Sequence, residues 1–381
     1  MLFNAVLEEI MRRCKVRWLR SGIGVAVDKQ EGDALGNLRF ADDVMLISES
    51  RDQVAQMLAD LGEEAAKCGL EMHMGKTVIL SNEKVRADKE EVKIRGEAVK
   101  ILPYDKGAKY LGRMVTFCDV HKVAVQFRVN CAWAKFNSLS KTLCNKKVPL
   151  RQRLRLFDKT VTTTMLYSCG SWTMTRKLER KVKVAQRHML RKMYGSGRVP
   201  QVEAHSSKPG PSSCDEDVRL PGNSAAVGDE EVRKDKVEHE HRCIETLWDW
   251  RQRTTKKVEA ICGEMGIESW VHAQRRRRKW RWAGHSSRMD SGRWASKMLE
   301  WVPQGCKGRP QGGPKKRWED VLNSFGATQS WGKGEWRLVA AEREGWKELE
   351  EEFVSFGDKE ASNESSDEED GTSPFAMVGY H

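Results

Sequence analysis

The apolar positions change period several times along the chain, and each change predicts an element. Leu2, Phe3, Val6, Leu7 and Ile10 fall on one face of a helix. Leu38 and Phe40 alternate with other residue types, and a nearly continuous apolar run, Val44 to Ile47, follows them. These two segments predict paired strands. Between them stand Asp42 and Asp43, like charges side by side at the tip of a hairpin. Ser50 and Gln53 then supply a capping box. Val54, Met57, Leu58, Leu61, Ala65 and Cys68 form the stripe of the next helix, which Gly69 ends. Residues 76–81 and 108–117 each read as a strand. The order helix, hairpin, helix, strand, strand predicts an α+β fold, its sheet covered by helices on one face.

From about residue 119 to 195 the pattern turns helical. Leu178, Val182, Ala185, Met189 and Met193 make one stripe, and Arg176, Arg180, Lys183, Arg187 and Arg191 lie almost opposite. Such a helix packs on a core while offering cations to a phosphate backbone; the plainer reading is a solvated cationic face. Residues 196–240 carry Pro200, Pro209, Pro211 and Pro221 among Gly, Ser and mixed charge, and read as a flexible linker. Helical pattern resumes near Cys243. Residues 270–318 then hold fourteen Lys or Arg against two acids, Asp290 and Glu300. From Glu348 to Asp370 the sign reverses, with eleven acids and one lysine, which predicts a disordered acidic tail from 346 to 381.

Charge and cysteine content narrow the class. A net charge of +12 favours a polyanionic partner. Ten cysteines show no C-x-x-C pair and no zinc-finger spacing, so they read as reduced core thiols of a cytoplasmic or nuclear protein. His272, His285 and Cys306 give no four-ligand zinc spacing. No apolar run approaches the roughly 18 residues a membrane span needs, and no signal-peptide pattern follows the start. A chain that opens inside a core-facing helix reads as truncated. The sequence does not specify an oligomeric state.

Two carboxylates held at a tight turn can share divalent metal. Nucleotidyl transfer uses that arrangement, with two ions about 3.5–4 Å apart at the attacking and leaving oxygens. An Asp-Asp turn alone is a weak signal. The segments around it make it specific: "LRFADDVMLIS", a helix, "GLEMHMGKTVILS" and "KYLGRMVTF" together resemble the palm of reverse transcriptases from non-LTR retrotransposons. "LFNAVLEEI" resembles the helix after that family's template-positioning segment, "PLRQRLRLFDKTVTTTMLYSCGSWTMT" its thumb-side continuation, and "RRRRKWRWAGHSSRMDSGRW" its C-terminal region.

The resemblance implies a truncated palm over 1–117, a helical thumb over 118–195, the linker over 196–240 and a basic Trp/Arg-rich helical region over 241–345. It implies RNA-directed DNA synthesis with Mg2+, deoxynucleoside triphosphates, an RNA template and a DNA primer, and no membrane. Asp42 would be the main metal ligand and Asp43 its partner, with Lys76 as a further catalytic residue near the triphosphate. Tyr110, Leu111 and Gly112 would form the primer grip. Plainer readings are an ordinary lysine before a strand and a buried strand with a bend. The family's other catalytic aspartate lies further upstream; Asp28 and Asp33, the acids nearest before the hairpin, do not match it. The expectation is therefore a fragment that does not polymerise alone.

The alternative is a non-catalytic nucleic-acid-binding protein derived from a retroelement. Its candidate contacts are Arg180, Lys183, Arg187, Arg191, Arg275, Arg276, Arg277 and Arg278, with Trp280 and Trp282 stacking on unpaired bases. Against it stands a helix whose tryptophans are core and whose arginines are merely exposed.

Overall fold

The computed structural model describes residues 2–27, 34–82, 91–195, 197, 200–201, 243–266, 271–300 and 316–362. The chain is α+β. Helix α1 (Leu2–Arg20) leads to the two-stranded ladder β1 (Val25–Ala26) with β2 (Ala34–Leu35), then to the hairpin β3 (Asn37–Phe40) with β4 (Asp43–Leu46). Helix α2 (Arg51–Lys67) follows. Ser50 caps it, its hydroxyl accepting from Gln53 N at 3.2 Å, while Gln53 Oε1 accepts from Glu49 N at 3.3 Å, one residue earlier than a strict capping box. Gly69 ends the helix with φ +70. Trp18 donates to Asp60 Oδ2 at 3.0 Å and so ties α1 to α2 across a core of Ile10, Met11, Cys14, Met57, Leu61 and Ala65.

Strands β5 (Val78–Leu80), β6 (Glu91–Ile94) and β7 (Glu97–Leu102) form a sheet in the order β5-β7-β6, with β5 parallel to β7 and β6 antiparallel. Ile79, Ile94, Val99 and Ile101 bury its inner face against Leu58 of α2. The expected single sheet is thus several small ones, because most strands are only two to four residues long. A second difference falls at 108–117. The segment is a hairpin, β8 (Ala108–Tyr110) with β9 (Arg113–Val115), rather than one strand. Leu111 and Gly112 turn it with φ of +46 and +73, the left-handed pair that two-residue hairpins need.

Helices α3 (Val120–Ser138), α4 (Ser140–Leu143), α5 (Leu150–Phe157), α6 (Thr163–Met165) and α7 (Arg176–Tyr194) build the second unit. A short ladder, β10 (Pro200–Gln201) with β11 (Cys243–Ile244), brings in α8 (Leu247–Glu264). The predicted stripe of α7 is buried as expected, with Leu178, Val182, Ala185, Met189 and Met193 packed on Phe136, Leu154 and Phe157. Arg153, also buried, donates to the carbonyls of Leu143 (3.1 Å), Val148 (2.9 Å) and Met193, closing the ends of α4 and α7. The linker expected over 196–240 lies outside the described residues except at 197 and 200–201.

The last unit comprises α9 (Val271–Ser287), α10 (Trp294–Glu300), α11 (Asp320–Thr328), α12 (Trp336–Ala341), α13 (Arg343–Glu348) and α14 (Glu350–Ser362). Trp280 and Trp346 stack at 3.5 Å, and each indole N–H donates to the other's carbonyl, at 2.8 and 3.1 Å. Helix α14 corrects the expectation of disorder from residue 346. Phe353 and Val354 are buried, and Glu350 meets Arg277 and Arg281 of α9 at 2.9 and 2.7 Å. Apolar burial together with opposite charge holds the acidic helix on the basic one. Residues 363–381 lie outside the described residues. Among the described residues no helix is long and apolar enough to cross a membrane.

Candidate active site

The geometry of the β3–β4 turn follows from its register. Phe40 pairs with Asp43, so only Ala41 and Asp42 make the turn, and Ala41 takes φ +53 to close it. Asp42 at the tip and Asp43 at the start of β4 are both exposed. A two-residue turn between short strands fixes both carboxylates on one rigid corner.

Helix α1 and the β8–β9 hairpin flank that corner. Arg39 pairs with Glu8 of α1 at 2.8 Å, and a cleft of about 400 Å3 opens beside it, lined by Asn4, Glu8, Asn37, Arg39, Ala41 and Trp294. On the other side the Tyr110 hydroxyl donates to Leu38 O at 3.2 Å. Burial raises the Tyr110 pKa, and the nearby charge of Asp43 adds to the shift, so the phenol stays protonated as a donor. The β8–β9 turn is clamped from the helical unit. Arg128 donates to Gly112 O, Tyr167 donates to Leu111 O at 3.1 Å, and the Arg128 guanidinium lies 4.3 Å from the centre of the Tyr167 ring. A Cβ at Gly112 would meet Arg128 Nη2 at 3.1 Å and Tyr167 Cε1 at 3.3 Å, so the clamp needs glycine there.

The structure therefore brings together Asp42, Asp43 and Tyr110, with Leu111 and Gly112 exposed or half-buried at the adjoining turn. Lys76 ends a short 3-10 turn, exposed, and forms no ion pair with either aspartate. Arg128 and Tyr167 carry no signal in the sequence. They stand 16 and 56 residues from their hydrogen-bond partners, and only the fold joins them. The donor chemistry at the corner is two hard carboxylates, which suits Mg2+. Among the described residues no group of three or more His, Cys, Asp or Glu is placed to hold a metal, and Asp28 and Asp33 lie outside them.

The nucleic-acid contacts expected in the basic region divide sharply. Trp280 is 0% exposed, stacked between Trp346 and Phe353, and has no face for a base. Arg275 and Arg276 are buried as well, on Glu179 and on Val354 O. Arg277 is spent on Glu350 and Glu351, and Arg278 on Leu166 O at 3.0 Å. These five positions are core or intramolecular partners, because α9 is the central helix of its unit and is covered on several sides. Trp282 is 40% exposed. On α7, Arg187 meets Glu259 and Arg191 meets Thr255, while Lys183 is half-buried and Arg180 is exposed.

With this geometry in place, the comparisons give the first part of the chain its class. Residues 1–115, which hold the aspartate pair and the β8–β9 hairpin, match the family model of the reverse transcriptases (RNA-dependent DNA polymerases). The chain is also similar to an uncharacterized transposon-derived protein of Caenorhabditis elegans, 26% identical over 322 residues that cover 83% of this chain and 95% of that protein. No solved structure matches the chain.

Proposed function

We propose that the chain serves RNA-directed DNA synthesis for a retroelement of the non-LTR type, as the palm and thumb portion of its reverse transcriptase. The observation that carries the reading is the exposed Asp42–Asp43 corner with Tyr110 beside it, inside the segment that matches the reverse transcriptase model. Asp42 and Asp43 would hold Mg2+ together, and the metal, when bound, supplies positive charge against the triphosphate. The β8–β9 hairpin, clamped by Arg128 and Tyr167, presents rigid backbone along which a primer end can lie. Lys76, exposed and unpaired with either acid, is free to meet a triphosphate. The RNA template and DNA primer are bound by backbone phosphates.

Two carboxylates with no third metal ligand among the described residues leave much of the metal charge uncompensated. These residues by themselves are therefore proposed to bind a template–primer without extending it. The test places Fe2+ and peroxide on the full chain and maps backbone cleavage, alongside primer extension with Mg2+ and all four deoxynucleoside triphosphates. Cleavage at residues 40–45 that disappears in Asp42→Ala, with no extension, is the expected result. Absence of local cleavage while template–primer binding persists would replace this reading with the non-catalytic binding protein. Extension abolished by Asp42→Ala would overturn the inactivity and keep the assignment of the pair.

A further inference from the structure

The turn that joins α6 to α7 is gripped by basic side chains from three elements, two of them cations and one a neutral imidazole. Arg113 on β9 donates through Nη1 to Ser171 Oγ at 2.8 Å. His121, in the first turn of α3, accepts at Nδ1 from Thr173 N at 3.3 Å. Lys279 on α9 reaches Trp172 O at 3.4 Å, its ammonium 4.7 Å from the centre of the Trp318 ring. Three consecutive residues of one turn, 171 to 173, thus anchor three basic side chains. Among the described residues none of the three has an ion-pair partner. The two acids whose charge acts on Lys279 are engaged elsewhere, Glu179 with Arg275 and Asp320 with the backbone N–H of Arg317 at 2.7 Å.

Burying basic groups without an anion is costly, and proteins rarely keep such a cluster without a partner for it. The cost is visible in each group. Burial pushes Lys279, 2% exposed, down to about 7, with Arg275 and Lys316 adding to the fall and Asp320 and Glu179 opposing it. Burial also lowers Arg113, and it lowers His121 with further pressure from the charges of Arg113 and Lys279. Arg113 and His121 are only half-buried, so an anion from solvent can reach them. Ser171 Oγ, which accepts from the guanidinium, donates to Ser168 O at 2.9 Å and has the Ser168 hydroxyl beside it. Ser168 Oγ and Ser171 Oγ lie 3.3 Å apart, with Ser168 exposed and held at φ +60. A guanidinium, an imidazole and paired hydroxyls match a tetrahedral oxyanion.

We propose that Arg113, His121, Ser168 and Ser171 form a phosphate-binding site, with Lys279 beneath the turn adding charge rather than contact. The residue before Ser168, Tyr167, holds the β8–β9 hairpin through Leu111 O, so the site adjoins the proposed primer grip. Its phosphate is a phosphodiester of a strand passing that hairpin, which rests on the nucleic-acid reading above, or free inorganic phosphate with the same chemistry.

The test uses the full chain and the His121 imidazole resonance, titrated with inorganic phosphate against chloride at constant ionic strength. Phosphate should raise the His121 pKa, with the affinity falling about tenfold in Arg113→Gln and several-fold in Lys279→Met. An unmoved His121, or the same response in Arg113→Gln, would overturn the site. Lys279→Met removes a buried unpaired amine and should fold at least as well as the parent chain, so its weaker phosphate response is not a folding artefact. A template–primer duplex then separates the sources. Duplex binding weakened in Arg113→Gln supports the strand phosphate. Undiminished duplex binding beside lost phosphate binding supports the free anion. A parent chain that responds to phosphate but binds no duplex keeps the site and refutes the nucleic-acid reading.

Discussion

Lys279 and Asp42 show how differently single residues declare themselves. Two adjacent acids between strands are conspicuous in the sequence alone, because nothing in a hairpin needs them. A lysine at the end of an arginine run looks like one more solvated cation, yet the fold buries it under Trp318. Nothing local distinguishes it, since its burial depends on α9 being central to its unit. Its depressed pKa has a definite consequence for stability. Between pH 7 and 10.5 the unfolded lysine carries a proton that the folded one has released, so the unfolded state binds more protons and stability rises with pH. Below pH 7 both states are protonated, and the folded chain bears the full desolvation cost. Replacing Lys279 with Met should therefore stabilise the chain near pH 7, with the gain shrinking toward pH 10.5. Denaturant unfolding of both proteins across that range measures it, and a gain that grows with pH would contradict the burial argument.

Elements were legible where one pattern decided them. Helix α2 carries its cap, stripe and terminal glycine in sequence, and α7 shows its apolar stripe without ambiguity. The β8–β9 hairpin was hidden because Ala108 to Phe117 has the residue types of one continuous strand, and its turn uses Leu111, a residue rarely found at positive φ. The acidic helix α14 was hidden by its charge, although Leu349, Phe353 and Phe356 at helical spacing carried the signal that a helix packs there. The hairpin turn makes a prediction at this scale. Gly112→Ala meets a left-handed backbone and two clamping side chains, and should cost about 1–2 kcal/mol. Leu111→Gly should be neutral or stabilising, because glycine takes φ +46 without strain. Thermal unfolding of the pair separates turn strain from the loss of a leucine side chain. If both destabilise equally, the turn conformation is not what fixes the hairpin.

At the scale of the molecule, net charge is a poor guide to which cations face a partner. The basic segment invites a picture of an arginine arm on nucleic acid, but the fold spends Arg276, Arg277, Arg278 and Arg281 on its own carbonyls and carboxylates. Four buried clusters form the separate cores of the first unit, the helical unit and the tryptophan-rich end, and the last two are tied by Arg278 of α9 on Leu166 O and by Trp318, ahead of α11, on Gly170 O. Cations used in that joint are not free to release counterions from a phosphate backbone. Arg180 is different, being exposed on the outer face of α7. Arg180→Gln should weaken template–primer binding and reduce the slope of log affinity against log salt by about one. Arg277→Gln and Arg281→Gln should leave that slope unchanged and instead loosen α14, lowering the unfolding midpoint. Binding isotherms between about 50 and 200 mM salt decide between the two surfaces. A slope that falls with Arg277 and not with Arg180 would mean that α14 leaves α9 when nucleic acid binds, and that the acidic helix competes with the strand for the same arginines.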